Sequence, residues 1–141
     1  MNLERLKKRH HVLRYQDPVH MIFLYVGYRV KKRKKVVRHF GKKPLDMPKS
    51  KGAAHFWRIS DHEIFLEINE VFDFSDLMRF VHFAGLAAHE SFHATQFLVQ
   101  RISQGYDVEH DEPPAYFSGW VARCMADTVL EFNKTKPNAE V

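Results

Sequence analysis

Apolar and polar positions in the first half of the chain predict a basic arm followed by strands. Residues 1–16 are basic and end before an Asp-Pro pair, which predicts a short helix or arm because the residue before proline disfavours helix. Residues 20–30 and 36–40 are rich in aromatic and β-branched side chains and flank a run of lysine and arginine. This arrangement predicts two strands joined by a charged turn, followed by a loop over residues 41–52.

Strand-like alternation continues past this loop and then gives way to a helical period. Residues 54–60 and 63–69 predict two more strands, and the second alternates apolar with polar side chains as a strand with one buried face does. A helix is predicted from Ser75 to about Gly105, with Asp73 or Ser75 as its cap. Its apolar positions recur at steps of three and four residues, at Leu77, Phe80, Val81, Ala84, Ala88 and Phe92.

A second long helix is predicted near the C-terminus. Asp111 is a candidate N-cap, and the two prolines that follow occupy the first turn, where a missing N–H donor is tolerated. Apolar positions then continue to Phe132. With 45% apolar and 13% aromatic residues, we expect one domain over residues 1–141. It would comprise a basic N-terminal arm and hairpin over about 1–52 and a core over about 54–133.

Charge and cysteine content bear on partners and environment. The net charge of +5 is concentrated near the front, above all in residues 31–43, KKRKKVVRHFGKK. This segment could contact nucleic acid, an acidic protein or an anionic surface, or it could be a solvated hairpin tip and loop. Cys124 is the single cysteine, which excludes an internal disulfide and fits a reducing compartment. Because no secretory-signal or membrane-span pattern occurs, we expect a cytoplasmic protein without a membrane partner.

The segment AAHESFHATQFL places three polar side chains in an apolar helical run. His89 and His93 are four residues apart, so their rings can point at one location on a helix, with Glu90 beside them. Two imidazoles in this arrangement can bind a zinc ion, and the carboxylate can reach a metal-bound water as general base. The alternative is two histidines hydrogen-bonded in a core. His82 shares the face of His89 but lies two turns away, too far to bind the same ion.

A catalytic zinc site needs a third protein ligand and one open position. Glu112 is our candidate because it follows His93 by 19 residues and lies in the first turn of the next helix, while Asp111 remains free to act as cap. Glu112 could instead only complement the helix dipole. His110, 17 residues after His93, is an alternative third ligand.

Three further polar residues lie near the Glu112 face of the second helix. Tyr116 or Arg123 could donate a hydrogen bond to the oxyanion of a tetrahedral intermediate. Asp127 could orient a ligand histidine. A salt bridge or amphipathic packing would explain each of these residues equally well.

HESFH together with DEPPAYFSGW resembles the zincin metallopeptidases of the glutamate-ligand type. More narrowly, residues 63–130, about half of the chain, look like a group of small, mostly phage-borne predicted metallopeptidases. That group combines a strand, an HExxHA motif and a glutamate in an E-x-x-A-Y setting. The matching residues here are His89, Glu90, His93, Ala94, Glu112, Ala115 and Tyr116.

The resemblance implies an α+β fold of minimal zincin type, with a small antiparallel or mixed sheet of three to four strands packed on the HExxH helix and a second C-terminal helix. It implies Zn²⁺ on His89, His93 and Glu112, Glu90 as general base, and hydrolysis of peptide bonds. It also suggests the strand EIFLEIN as an edge that pairs an extended peptide. The metzincin continuation is missing, because Gln96 and Val99 stand where that pattern has Gly and His.

Two other classes of function remain open. A phage-type group also contains virion components, so the chain could be a structural tail or neck protein that keeps the fold, with or without metal, and is located in the virion. Alternatively, residues 31–43 could bind nucleic acid, with an affinity that falls steeply as salt increases.

Overall fold

The computed structural model of the protein describes four stretches of the chain. These are residues 2–17, 19–42, 52–102 and 112–134, without the side chains of Ile102 and Glu112. Within them the elements follow in the order α1 (Leu3–His10), β1 (Val12–Gln16), β2 (Phe23–Tyr28), α2 (Arg33–His39), β3 (Ala54–Arg58), β4 (Glu63–Ile68), α3 (Leu77–Ile102) and α4 (Glu112–Lys134). None of the helices in these stretches has the length and apolar character required to cross a bilayer.

The strands form one mixed sheet in the order β1-β2-β4-β3. β1 pairs antiparallel with β2, β2 pairs parallel with β4, and β4 pairs antiparallel with β3. The parallel pair requires a crossover connection, and both α2 and β3 belong to it. α3 and α4 contact each other and pack on the sheet. The α+β prediction is therefore confirmed, with a small mixed sheet packed on two long helices.

Both faces of the sheet are covered, and we call the face under α3 and α4 the front face and the other the back face. The front core is larger and joins side chains of β2 and β4 to those of the two long helices. The back core involves α1 and α2 and consists of Leu6, Val12, Tyr25, Val36, Ile59 and Phe65. Alternating residues of β2 and β4 therefore enter two separate cores.

The hairpin lies one strand earlier than the sequence pattern predicts. β1 and β2 form it, and the Asp17 carboxylate accepts hydrogen bonds from two backbone N–H groups of the turn. The predicted arm over residues 1–16 contains α1 and then β1. The predicted strand over residues 36–40 is wrong, because residues 33–39 form α2. Val36 and Val37 favour strands locally, but both are buried, and tertiary packing outweighs that preference.

β4 is an interior strand, which corrects the expectation that EIFLEIN forms an edge. It has β2 on one side and β3 on the other, so the edge strands of the described sheet are β1 and β3. Five consecutive residues, 64–68, are buried, although their alternation suggests a strand with only one buried face. Glu67 is compatible with burial on the back face because Arg33 forms an ion pair with it.

α3 buries a different face from the one that its apolar repeat suggests. The predicted stripe is exposed: Leu77 is 73%, Val81 54% and Phe92 57% exposed. The residues that enter the front core are Phe83, Ala87, Ala94, Phe97 and Leu98. Because large apolar residues lie on the exposed face of this helix as well as on the buried face, its period alone does not select the face that meets the sheet. The cap also differs from the prediction, since Asp76 accepts hydrogen bonds from two backbone N–H groups in the first turn.

Candidate metal centre

α3 brings the two histidines of the motif together, and we call His89 and His93 the histidine pair. Their Nε2 atoms are 3.2 Å apart and their ring centroids 4.9 Å apart. Two nitrogens bound to one tetrahedral zinc at the usual bond length would be about 3.3 Å apart. The observed spacing therefore suits two ligands of one ion. It also suits a hydrogen bond in which one ring N–H donates to the other ring.

The histidine pair is open to solvent on one side and held by β3 on the other. The His89 side chain is 67% exposed. The His93 ring stacks on Phe56 of β3, with 6.1 Å between the centroids and 24° between the planes. Phe56 thus restricts the orientation of the His93 ring, while both histidines remain exposed to solvent.

Glu90 lies behind the pair and is only 4% exposed. Its Oε1 is 3.9 Å from the His89 Nε2. Its Oε2 is buried, and no donor in the described part of the chain makes a hydrogen bond to it. Burial raises the pKa of Glu90 above its usual value, and the neighbouring His89 and His93 partly offset this effect. An unpaired buried carboxylate oxygen costs free energy unless a cation or water satisfies it.

A depression of about 530 Å³ opens beside the histidine pair, between the start of β3 and the middle of α3. It is lined by Ala53, Ala54, Val81, His82, Gly85, Leu86, His89 and Glu90. Its walls are mostly apolar. His82 is exposed there and pairs with Glu70, with 3.0 Å between Nε2 and Oε2, so it has a partner outside the pair.

The predicted third ligand, the Glu112 carboxylate, lies outside the described residues. α4 begins at Glu112, but the Glu112 side chain, Asp111 and His110 lie outside the described part. Among the side chains that are described, no group of three or more His, Cys, Asp or Glu is placed to hold a metal. The described part therefore supplies two candidate ligands, and Glu112 stays a prediction.

The other predicted residues of α4 face solvent. Tyr116 is 74% exposed, and Arg123 and Asp127 are exposed as well. In the described part of the chain, no hydrogen bond, ion pair or ring contact joins them to the histidine pair. Their proposed roles as oxyanion donors and ligand-orienting acid also stay predictions.

The sequence reasoning did not identify Phe56. Alternation along β3 predicts from the sequence that it shares a sheet face with Ala54 and Arg58. Its contact with His93 depends on the position of β3 at the sheet edge over α3. No local spacing gives that position.

The described part of the basic segment, residues 31–42, consists of α2 and the residues that flank it. Most of its described cations are exposed, namely Lys31, Lys32, Lys34, Lys35, Arg38 and Lys42. Arg33 differs, because its Nε donates to both carboxylate oxygens of Glu67 at 2.8 and 2.9 Å. One cation of the segment thus belongs to the interior.

No protein-family model matches the chain, and comparison with curated proteins and with solved structures returns no match either.

Proposed function

We propose that the protein is a zinc-dependent peptidase acting on a peptide or protein substrate. One observation carries the proposal: the Nε2 atoms of His89 and His93 are 3.2 Å apart beside a buried Glu90 whose Oε2 has no hydrogen-bond donor among the described residues. A shared metal accounts for the nitrogen spacing. A water molecule next to Glu90 accounts for the unpaired oxygen.

The chemistry divides between the ion and the chain. Zinc held by His89, His93 and Glu112 would supply Lewis acidity, which lowers the pKa of water and polarises a carbonyl group. Glu90 would act as general base and then as general acid. Its Oε2 accepts a proton from the attacking water and later donates that proton to the leaving amine. Burial supports this role, because a raised pKa makes the carboxylate a stronger base.

β3 is the strand on which an extended substrate would lie. It is an edge strand of the described sheet, and its Phe56 contacts His93. Backbone groups on the outer side of an edge strand can pair with a peptide in the manner of an added strand. Tyr116 and Arg123 are the candidate donors to the oxyanion. We place this activity in the host-cell cytoplasm, and the buried free thiol of Cys124 supports a reducing compartment.

Metal analysis combined with a cleavage assay tests the proposal. Purified protein should contain about one zinc per chain, and His89→Ala and His93→Ala should lose it. Glu90→Gln should retain the metal and lower the cleavage rate of a mixed peptide library by about 10²- to 10⁴-fold. His39→Gln, on the back-face helix α2, is the matched control and should change neither quantity. Wild-type protein without stoichiometric metal would refute the proposal.

The third ligand needs a separate pair of variants. Glu112→Ala should weaken zinc binding strongly, whereas His110→Ala should leave it unchanged. The opposite result would keep a metal site but replace its third ligand. Tyr116→Phe and Arg123→Gln should lower the cleavage rate with zinc content intact if they donate to the oxyanion.

A structural role in a virus particle is a second candidate function, and the exposed stripe of α3 favours it. Leu77, Val81 and Phe92 are more than half exposed, as large apolar residues at assembly interfaces are before assembly. A protein that binds zinc, cleaves nothing and forms large assemblies abolished by Val81→Glu would support this role over catalysis.

Nucleic-acid binding is the third candidate, favoured by the exposed cations of α2. Replacing Lys34 and Lys35 by Gln should weaken binding to a mixed-sequence DNA duplex, and the affinity should fall steeply with salt. Salt-insensitive or absent binding removes this candidate.

A further inference from the structure

A second cavity lies between the end of β3 and the C-terminal part of α3. It has a volume of about 330 Å³ and is lined by Arg58, Asp61, His62, Phe97, Gln100 and Arg101. We call it the arginine pocket. It contrasts with the mostly apolar depression on the other side of the histidine pair, because two guanidinium groups and an amide line it.

Two contacts fix the position of the pocket relative to the histidine pair. Phe56 stacks on His93, and the Arg58 guanidinium lies over the Phe97 ring, 5.5 Å from its centroid. Phe56 and Arg58 are two residues apart on β3, about 6.7 Å along a strand. His93 and Phe97 are one turn apart on α3, about 6 Å along a helix. The pocket therefore lies about two residues of an extended peptide away from the candidate metal centre.

The charged residues that line the pocket have a net positive charge. Arg58 forms an ion pair with the Asp61 carboxylate, and Arg101 donates a hydrogen bond to the Asp61 backbone carbonyl. Arg101 has no carboxylate partner among the described residues. Apart from His62, the lining residues therefore carry two positive charges and one negative charge. The Arg58 side chain is 57% and the Asp61 side chain 78% exposed, so a competing anion can reach Arg58.

We propose that the arginine pocket binds a carboxylate of the substrate, about two residues from the bond that is cleaved. Guanidinium groups bind carboxylates through paired, charge-assisted hydrogen bonds. Either an Asp or Glu side chain or a free C-terminal carboxylate supplies this group. The location relative to the cleaved bond rests on the proposed peptidase function, whereas carboxylate binding at the pocket does not.

Binding to the Glu90→Gln protein tests the pocket without catalysis. Three dye-labelled hexapeptides of Ala, Thr and Val are compared by fluorescence anisotropy. The first has one internal Glu and an amidated C-terminus, the second has Gln in its place, and the third has that Gln and a free C-terminal carboxylate. At least one acidic peptide should bind roughly tenfold more tightly than the neutral peptide. The tighter of the two acidic peptides identifies the source of the carboxylate.

Variants that remove positive or negative charge from the pocket test whether the preference for acidic peptides arises there. Arg58→Gln and Arg101→Gln, each added to the Glu90→Gln protein, should remove most of the tenfold preference. Asp61→Asn should increase it a few-fold, because it removes the competing carboxylate from an exposed position. Arg9→Gln, which removes one exposed charge from α1, is the matched control and should preserve the preference. Equal affinity for all three peptides, or a preference unchanged by both arginine variants and by Asp61→Asn, overturns the proposal.

Cleavage separates this proposal from the proposed function. Wild-type protein is incubated with a mixed peptide library, and mass spectrometry locates the cleaved bonds. Enrichment of a carboxylate two residues from those bonds supports the pocket as a specificity site. Cleavage without such enrichment rejects that role and leaves the peptidase function standing. Carboxylate binding without any cleavage rejects the peptidase function and leaves the pocket standing.

Discussion

Glu67 and Glu90 are both buried, one on the back face of the sheet and one on the front, and their carboxylates have different surroundings. Glu67 is 1% exposed and accepts hydrogen bonds from the Arg33 Nε at both oxygens. Arg33 in turn lies over the Trp57 ring, 4.8 Å from its centroid. Glu90 is 4% exposed, and its Oε2 has no donor among the described residues. On the back face, an arginine of the protein thus pairs with the buried Glu67 carboxylate. On the front face, the buried Glu90 carboxylate keeps an oxygen that a ligand can satisfy.

This difference predicts that the protein depends on Arg33 to tolerate the buried Glu67, whereas the Glu90 charge lowers the stability of the metal-free protein. A buried charge with a well-placed partner is strongly destabilising when that partner is removed. A buried charge without a partner is destabilising already, so its removal stabilises the protein. Stability measurements on the two sides of the sheet can therefore separate a structural carboxylate from a functional one.

Removing Arg33 should have the largest effect. Arg33→Met leaves the Glu67 carboxylate buried next to an apolar side chain, and the free energy of unfolding should fall by about 3–5 kcal/mol. Urea denaturation followed by circular dichroism measures the change. Lys34→Met, on the exposed side of the same helix, is the control and should change it by less than about 0.5 kcal/mol.

The double variant Arg33→Met with Glu67→Met sharpens the result. It replaces the pair by apolar side chains, so it should recover most of the lost stability. A loss below about 1 kcal/mol for the single variant would show that Glu67 finds compensation without Arg33.

Zinc binding at the front face should stabilise the protein, and this effect should not depend on residues of the back face. At a free zinc concentration about 100 times the dissociation constant, the free energy of unfolding should rise by about 2.7 kcal/mol. Thermal unfolding of chelator-treated protein with and without added zinc gives the change. His93→Ala should abolish it, whereas His39→Gln on α2 should retain it. An equal gain in the His93→Ala protein would assign the metal to other residues.

The sequence predicts the local parts of this arrangement better than the long-range parts. His89 and His93 are four residues apart on one helix, so their convergence follows from helical period alone. The burial of Glu67 depends on Arg33, which is 34 residues earlier in the sequence, and alternation along β4 could not reveal that pairing. The conformation of Val36 and Val37 likewise follows from packing against the sheet rather than from local preference.

Glu90→Gln should stabilise the metal-free protein, in contrast to any change at Glu67. Glutamine removes the buried, unpaired negative charge, so the free energy of unfolding at pH 8 should rise by about 1 kcal/mol. The pKa of Glu90 is higher in the folded protein than its usual value, so folding favours the protonated carboxyl group. The stability that this protonated group contributes is lost as pH rises through the folded-state pKa. The gain from Glu90→Gln should therefore shrink as pH falls and disappear below about 4.5, the usual value. Parallel urea titrations of wild type and variant from pH 8 to pH 4 test this, with exposed Glu4→Gln as control.

Ser91 provides the smallest test, because its hydroxyl is buried beside Glu90 in the sequence but carries no charge. The residue is 1% exposed, and its Oγ has no hydrogen-bond partner among the described residues. Ser91→Ala should raise the free energy of unfolding by about 0.5 kcal/mol, because alanine favours helix and removes an unsatisfied polar group. Thr95→Val is the matched contrast: its Oγ1 donates to the Ser91 carbonyl at 2.7 Å, so its loss should bring no comparable gain. Zinc content should stay at the wild-type level in both variants. If Ser91→Ala instead lowered zinc binding, the Ser91 hydroxyl and the Glu90 carboxylate would act together at the metal site. The effect of Glu90→Gln on stability would then depend on Ser91 as well.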